Sequence, residues 1–163
     1  MSGHNSLSQL SAAAMRFLSQ GQHGLLIDGQ TVPAVSGQLL EIRDPSTGVG
    51  CGHLAAGGEE DIDRAVRAAR LAFEGPWSSW TPYERQALLY RVHEVIDRNF
   101  SELAEIESVD MGAPISRTRA TKAAVLKMIL FFASQSSNIA GETLQNGLPG
   151  EVATMTLKAP VGV

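Results

Sequence analysis

The side chains able to do chemistry in this chain are few and scattered. Its one thiol is Cys51. A reactive thiol needs an electropositive, partly exposed setting. In a stretch patterned as a strand, Val49 to Ala55, Cys51 is expected to behave as a small buried hydrophobe instead. His4, His23, His53 and His93 have no metal-ligand spacing and read as surface or loop residues. The pairs Glu59/Glu60 and Asp61/Asp63 have the composition of a general acid and base. They open a helix, however, where negative charge complements the dipole, and that role accounts for them. Gly48-Val49-Gly50 and Gly57-Gly58 do not make the spaced glycine cradle that holds a dinucleotide phosphate. Trp77 and Trp80 are expected to anchor a loop between helices, and Arg85 to reach another domain through its guanidinium.

The elements that position these groups follow from patterning. The chain has 163 residues, enough for one core. Hydrophobic residues are 44% and charged residues 18%, which excludes a disordered polymer. The net charge of -4 gives nucleic acid or anionic lipid no basic surface to bind. A single cysteine excludes an internal disulfide and favours a reducing compartment. No apolar run reaches bilayer length, and residues 1–22 lack a secretory pattern, so a soluble cytoplasmic protein is expected. Leu7, Leu10, Ala14, Phe17 and Leu18 suggest a short helix within that N-terminal arm.

Asp28-Gly29 between Leu25-Leu26-Ile27 and Thr31-Val32 predicts a hairpin. Strands follow at Leu39 to Arg43 and Val49 to Ala55, separated by the turn Asp44-Pro45-Ser46-Thr47-Gly48. Four helices are expected next. The first starts at Glu59, with Ile62, Ala65, Val66, Ala69 and Phe73 as its apolar stripe, and ends at Gly75-Pro76. The second starts at the Thr81–Glu84 capping box. The third is capped by Ser101 and stopped by Gly112 and Pro114. The fourth runs from Ser116 to Ala140 with Val125, Met128, Ile129 and Phe132 on its apolar face, and Gly141 as its stop. A second hairpin then spans Thr143 to Lys158 around Asn146–Gly150, without a sheet nearby in sequence to join.

These segments resemble the beginning of the aldehyde dehydrogenase superfamily. The resemblance is carried by Ile27-Asp28-Gly29, Asp44-Pro45-Ser46-Thr47-Gly48, Asp61 to Val66, and Ala68 to Phe73. It continues through Pro76-Trp77, Glu84-Arg85 with Leu88-Leu89, Glu107 to Pro114, Gly141-Glu142-Thr143 and Pro160-Val161-Gly162-Val163. It covers about residues 24 to 163, in order. Gln22-His23-Gly24 before the hairpin is most similar to bacterial phenylacetaldehyde-type members. Asp44, Met111 and Ala113 depart from the family's commoner Asn, Asn and Lys.

The resemblance implies an α/β fold: the N-terminal portion of the family fold, without most of the Rossmann-like coenzyme domain and without the catalytic domain. Residues 1–23 would be the arm, 24–141 the strands and helices of the coenzyme-binding region, 142–158 the hairpin of a β-arm used in dimer or tetramer assembly, and 159–163 the start of the next strand. The family's chemistry is NAD- or NADP-dependent oxidation of a small-molecule aldehyde. A thiolate adds to the carbonyl to give a thiohemiacetal, hydride passes to the coenzyme, and a Glu-activated water hydrolyses the thioester. The nucleophile, the Glu and the coenzyme-binding residues would all lie beyond Val163. No residue here is therefore expected to be catalytic or cofactor-binding, the chain is expected to be inactive alone, and neither coenzyme is expected to bind it tightly. A non-catalytic remnant or an assembly module derived from such an enzyme fits the same residues. The resemblance also assigns Asp110, with the backbone carbonyls of Ile42 and Arg43, to a monovalent cation site. The residues alone leave open a second role for Asp110, bonding the Gly112 turn.

Overall fold

A computed structural model describes residues 10–163. His4 and Leu7 lie outside the described residues. The N-terminal arm forms α1 (Ala12–Ser19), capped by the Ser11 hydroxyl, which accepts the Ala14 amide at 3.2 Å. Beyond it lies a short strand that patterning did not indicate, β1 (Gln22–His23). β2 (Leu25–Ile27) and β3 (Gln30–Val32) make the predicted hairpin, and Asp28 and Gly29 both have positive φ, 53° and 71°.

β4 (Leu39–Arg43) and β5 (Gly50–Ala55) are antiparallel, and β1 pairs parallel with β5, giving a three-stranded sheet of order β1-β5-β4. The register shifts between Ile42, opposite Gly52, and Arg43, opposite Gly50. Cys51 is thereby left without a ladder partner, as in a β-bulge.

α2 (Glu59–Glu74) begins on Gly58 and ends at Gly75, as its acidic first turn and Gly-Pro stop predict. The turn Pro76–Ser79 then holds Trp77 against Trp80, with ring centroids 5.1 Å apart. α3 (Pro82–Met111) opens on the Thr81–Glu84 capping box. It corrects one expectation. The second and third predicted helices are a single 30-residue helix, and Ser101 is an exposed mid-helix residue rather than a cap. Between Pro82 and Gly112 there is no Gly or Pro to stop it, and a capping residue type alone does not interrupt a helix.

The fourth predicted helix is corrected in the opposite sense. It is broken at Thr121 into α4 (Ile115–Ala120) and α5 (Lys122–Gln135) and ends before Ser136 rather than at Ala140. The Thr121 hydroxyl donates to the Thr118 carbonyl at 2.7 Å, a side-chain bond that competes with the helical ladder. The polar run after Phe132 ends α5 early. Gly141 is therefore not a helix stop: it lies beside the last hairpin, where a Cβ would run into the Thr156 carbonyl oxygen. That hairpin, β6 (Thr143–Leu144) and β7 (Thr154–Met155), pairs only with itself among the described residues.

α5 packs along α3, and α1 packs on α3 and β5. The buried apolar residues are mostly small: Ala14, Ala34, Ala55, Ala104 and Ala133, with Phe100 and Val109. On the stripes that patterning marked as buried, Ile62, Val66, Met128 and Phe132 are 61%, 44%, 56% and 59% exposed. The chain exposes 12097 Å², against about 7,800 Å² for a compact monomer of its mass. Among the described residues, nothing covers these apolar faces.

Candidate functional site

The C-terminal end of α3, the sheet and α1 converge on one mostly apolar cavity of about 440 Å³. Phe17 and Leu18 come from α1, Ile42 and Cys51 from the sheet, and Val109, Asp110 and Met111 from α3. Of the three residues assigned to a cation site, Ile42 and Asp110 thus share a cavity. Arg43 is at the exposed end of β4, where its guanidinium donates to the Gly48 carbonyl at 3.1 Å and to the Glu41 carboxylate at 2.5 Å.

Asp110 is exposed, and among the described residues its side chain makes no hydrogen bond. The Gly112 turn is closed by another residue: the Ser108 hydroxyl donates to the Ala113 carbonyl at 2.6 Å. Gly112 has φ 65°, and a Cβ there would lie 2.8 Å from Pro45 Cγ and 3.0 Å from Ser46 Oγ, so glycine lets α3 end against the β4–β5 turn.

Cys51 is poorly suited to be a nucleophile. Its thiol donates to the Ile42 carbonyl at 3.5 Å. Burial pushes the thiol pKa up, and the nearby carboxylates of Asp44 and Asp110 push it further. A nucleophilic cysteine needs the reverse.

Asp44 is 6% exposed and closes its own turn, accepting the Ser46 amide at 2.8 Å and the Thr47 hydroxyl at 3.0 Å. Burial would raise its pKa. The Ser46 amide and the Thr47 hydroxyl outweigh burial and hold it below the usual carboxylate value.

The acids at the start of α2 separate by burial. Asp61 is 2% exposed, and its carboxylate accepts the Gly58 amide at 3.1 Å and the Val35 amide at 3.2 Å. Asp63 is exposed and pairs with Arg67 one turn on. Helix capping and strand-to-helix docking account for both. This acidic terminus also bears on dinucleotide binding, because a phosphate on the α2 N-terminus would meet Glu59, Glu60 and Asp61. The described residues therefore do not fit a dinucleotide phosphate at that glycine-led helix.

Arg85, expected to reach another domain, is engaged locally. Its guanidinium lies 5.2 Å from the Trp77 ring centroid and donates to the Trp77 carbonyl at 3.2 Å, while Nε is buried without a partner. His23 stacks on Phe17 with centroids 4.4 Å apart, and no group of three His, Cys, Asp or Glu side chains able to hold a metal occurs among the described residues.

Sequence reasoning missed Glu105. It is 4% exposed and accepts the Ser11 amide at 2.8 Å and the Arg119 guanidinium at 3.0 Å. A signal was present: Glu105 is four residues from buried Val109, on the same face of α3.

A model described as the aldehyde dehydrogenase family matches residues 32–163. The chain is 36% identical over 141 residues to aldehyde dehydrogenase family 2 member B4, mitochondrial, of Arabidopsis thaliana, covering 85% of this chain and 26% of that protein. It is 37% identical over 141 residues to the mitochondrial benzaldehyde dehydrogenase of Antirrhinum majus, with the same coverage of 85% and 26%. Among solved structures, the NAD+ complex of aldehyde dehydrogenase from Bacillus cereus superposes with a TM-score of 0.79 at 33% identity, covering 83% of this chain and 28% of that one. The chain spans about a quarter of the length of these relatives.

Proposed function

Since this chain belongs to the aldehyde dehydrogenase family, we propose that it supplies the N-terminal shell of an enzyme that oxidises an aldehyde to a carboxylic acid with NAD+ or NADP+ as acceptor, and that it does not turn over by itself. The single observation behind this reading is the family match across residues 32–163. When bound, the coenzyme accepts the hydride. The start of α2 does not fit its phosphates, which would meet Glu59, Glu60 and Asp61 there, and no part in holding it is proposed for this chain. Burial, with the carboxylates of Asp44 and Asp110, raises the pKa of the chain's one thiol, which supports a scaffolding role rather than a nucleophilic one.

Asp110 is proposed as a ligand of a monovalent cation, together with the Ile42 and Arg43 carbonyls. A carboxylate and carbonyl oxygens are the hard donors such an ion takes. The proposed partners are a small-molecule aldehyde and further copies of the same protein, joined through the β6–β7 segment. The exposed Leu144, Met155 and Leu157 support that use of the segment. Among the described residues no helix is long and apolar enough to cross a membrane. A cytoplasmic location is proposed from the single thiol, and two of the relatives carry mitochondrial names.

The test is enzymatic. With phenylacetaldehyde and NAD+ or NADP+, the 163-residue chain joined to the remaining portion of a family member forms reduced nicotinamide, and the chain alone forms none. Turnover by the chain alone, or none by a folded joined protein, overturns the reading.

A further inference from the structure

α1 is attached to the rest of the chain in an unusual way. Its underside is apolar, with Ala14 fully buried and Phe17 and Leu18 facing the cavity that holds Ile42, Cys51 and Asp110. Along its whole length, its hydrogen bonding to another part of the described chain is through Ser11 alone, whose amide donates to Glu105 at 2.8 Å. That contact is at the N-terminal end of α1, where the helix dipole favours a negative charge. Arg119 of α4, 3.0 Å away, fixes the Glu105 carboxylate from the other side.

At the opposite end, Gly21 follows α1 with φ 73°, and a Cβ there would meet nothing closer than 4.0 Å. The chain is pinned immediately beyond, because the Gly21 carbonyl accepts the His53 amide at 2.9 Å. Gly21 is thus a junction with backbone freedom on the α1 side and a fixed sheet on the other. A buried carboxylate at that point provides a contact that can be released.

We propose that α1 is a lid over the Ile42–Cys51–Asp110 cavity, latched by Glu105 at its N-terminal end and hinged at Gly21. The lid controls entry to the cavity. Opening lifts Phe17 and Leu18 away from Cys51 and breaks the Phe17–His23 stack, while the sheet and α3 stay in place.

The chain's single thiol reports this directly, without any need for turnover, so the outcome is independent of the proposed activity. The rate of Cys51 labelling by a chromogenic disulfide reagent is measured at fixed pH in the 163-residue chain. The carboxylates that act on the thiol are those of Asp44 and Asp110, so removing the Glu105 charge leaves its titration in place. Glu105→Met removes the latch, and a bond of that charged kind corresponds to labelling about ten to a hundred times faster. Phe17→Ser weakens the underside without touching Glu105 and is expected to act in the same direction. Asp61→Asn perturbs a buried carboxylate on α2, away from the lid, and is expected to leave the rate within about twofold of the parent. Labelling of both Glu105→Met and Phe17→Ser at the parent rate overturns the lid. So does equal acceleration by Asp61→Asn, which would mean that Cys51 is reached by general unfolding. Should Glu105→Met fail to fold, Phe17→Ser against Asp61→Asn decides.

Discussion

Replacing Asp61 by alanine tests whether the acids at the start of α2 are structural. Asp61 is 2% exposed and accepts the amides of Gly58 and Val35, so it both caps α2 and ties it to the segment after β3. Loss of a helix cap costs about 1 kcal/mol. Loss of a charge-assisted bond to the Val35 amide costs about 2 kcal/mol more. Together this is about 3 kcal/mol, or roughly a 150-fold change in a local opening equilibrium. The assay is amide hydrogen exchange across Val35 and Gly58, which reads local opening even where the chain self-associates. Asp63→Ala is the comparison. Its pair with Arg67 is exposed on both sides, and such i,i+4 pairs contribute about 0.3–0.5 kcal/mol, so exchange there is expected to change less than about threefold. If Asp61→Ala exchanges at the parent rate, or if Asp63→Ala matches it, the assignment of Asp61 to capping and docking is wrong.

Three further outcomes are expected. Asp44→Asn keeps an oxygen for the Ser46 amide and removes a charge that helps hold the Cys51 thiol high, so the pH midpoint for Cys51 alkylation moves down; an unchanged midpoint refutes the coupling. Gly112→Ala places a methyl 2.8 Å from Pro45 in a left-handed conformation and is expected to destabilise by about 2 kcal/mol, read as a lower thermal midpoint; an unaltered midpoint removes the reason given for glycine. Glu105 has a folded-state pKa below its ordinary 4.5, because burial, which would raise it, is outweighed by the Ser11 amide, the Ser11 hydroxyl and Arg119. Its stabilisation is therefore present above the ordinary value and lost as pH falls through the lowered folded one. Glu105→Gln is expected to flatten stability in that acidic window and nowhere above it, as followed by melts over pH.

Elements with local causes are legible in the chain before any coordinates. Asp28-Gly29 specifies a hairpin because both positions tolerate positive φ. Thr81-Pro82-Tyr83-Glu84 starts α3 because its side chains satisfy orphan amides within one turn. The ordered run of family motifs from Ile27 to Val163 is legible in the same way. Packing set what local patterning cannot express. Whether Ser101 caps a helix depends on whether the backbone breaks there, and its residue type does not settle that. The break at Thr121 comes from a hydroxyl choosing its own helix's carbonyl. Most of the candidate site is of this second kind. Ile42 and Asp110 are 68 positions apart and meet only because α3 ends against the β4–β5 turn, through the small space left at Gly112. Cys51 reads from the sequence as a small hydrophobe in a strand, and only the fold places the carboxylates of Asp44 and Asp110 near enough to raise its pKa beyond what burial does. Glu105, on the buried side of a helix, gained a role only when the fold brought Ser11 and Arg119 to it from 94 and 14 positions away. Local propensity acts over one turn of chain, whereas desolvation and charge pairing act between whichever segments packing brings together.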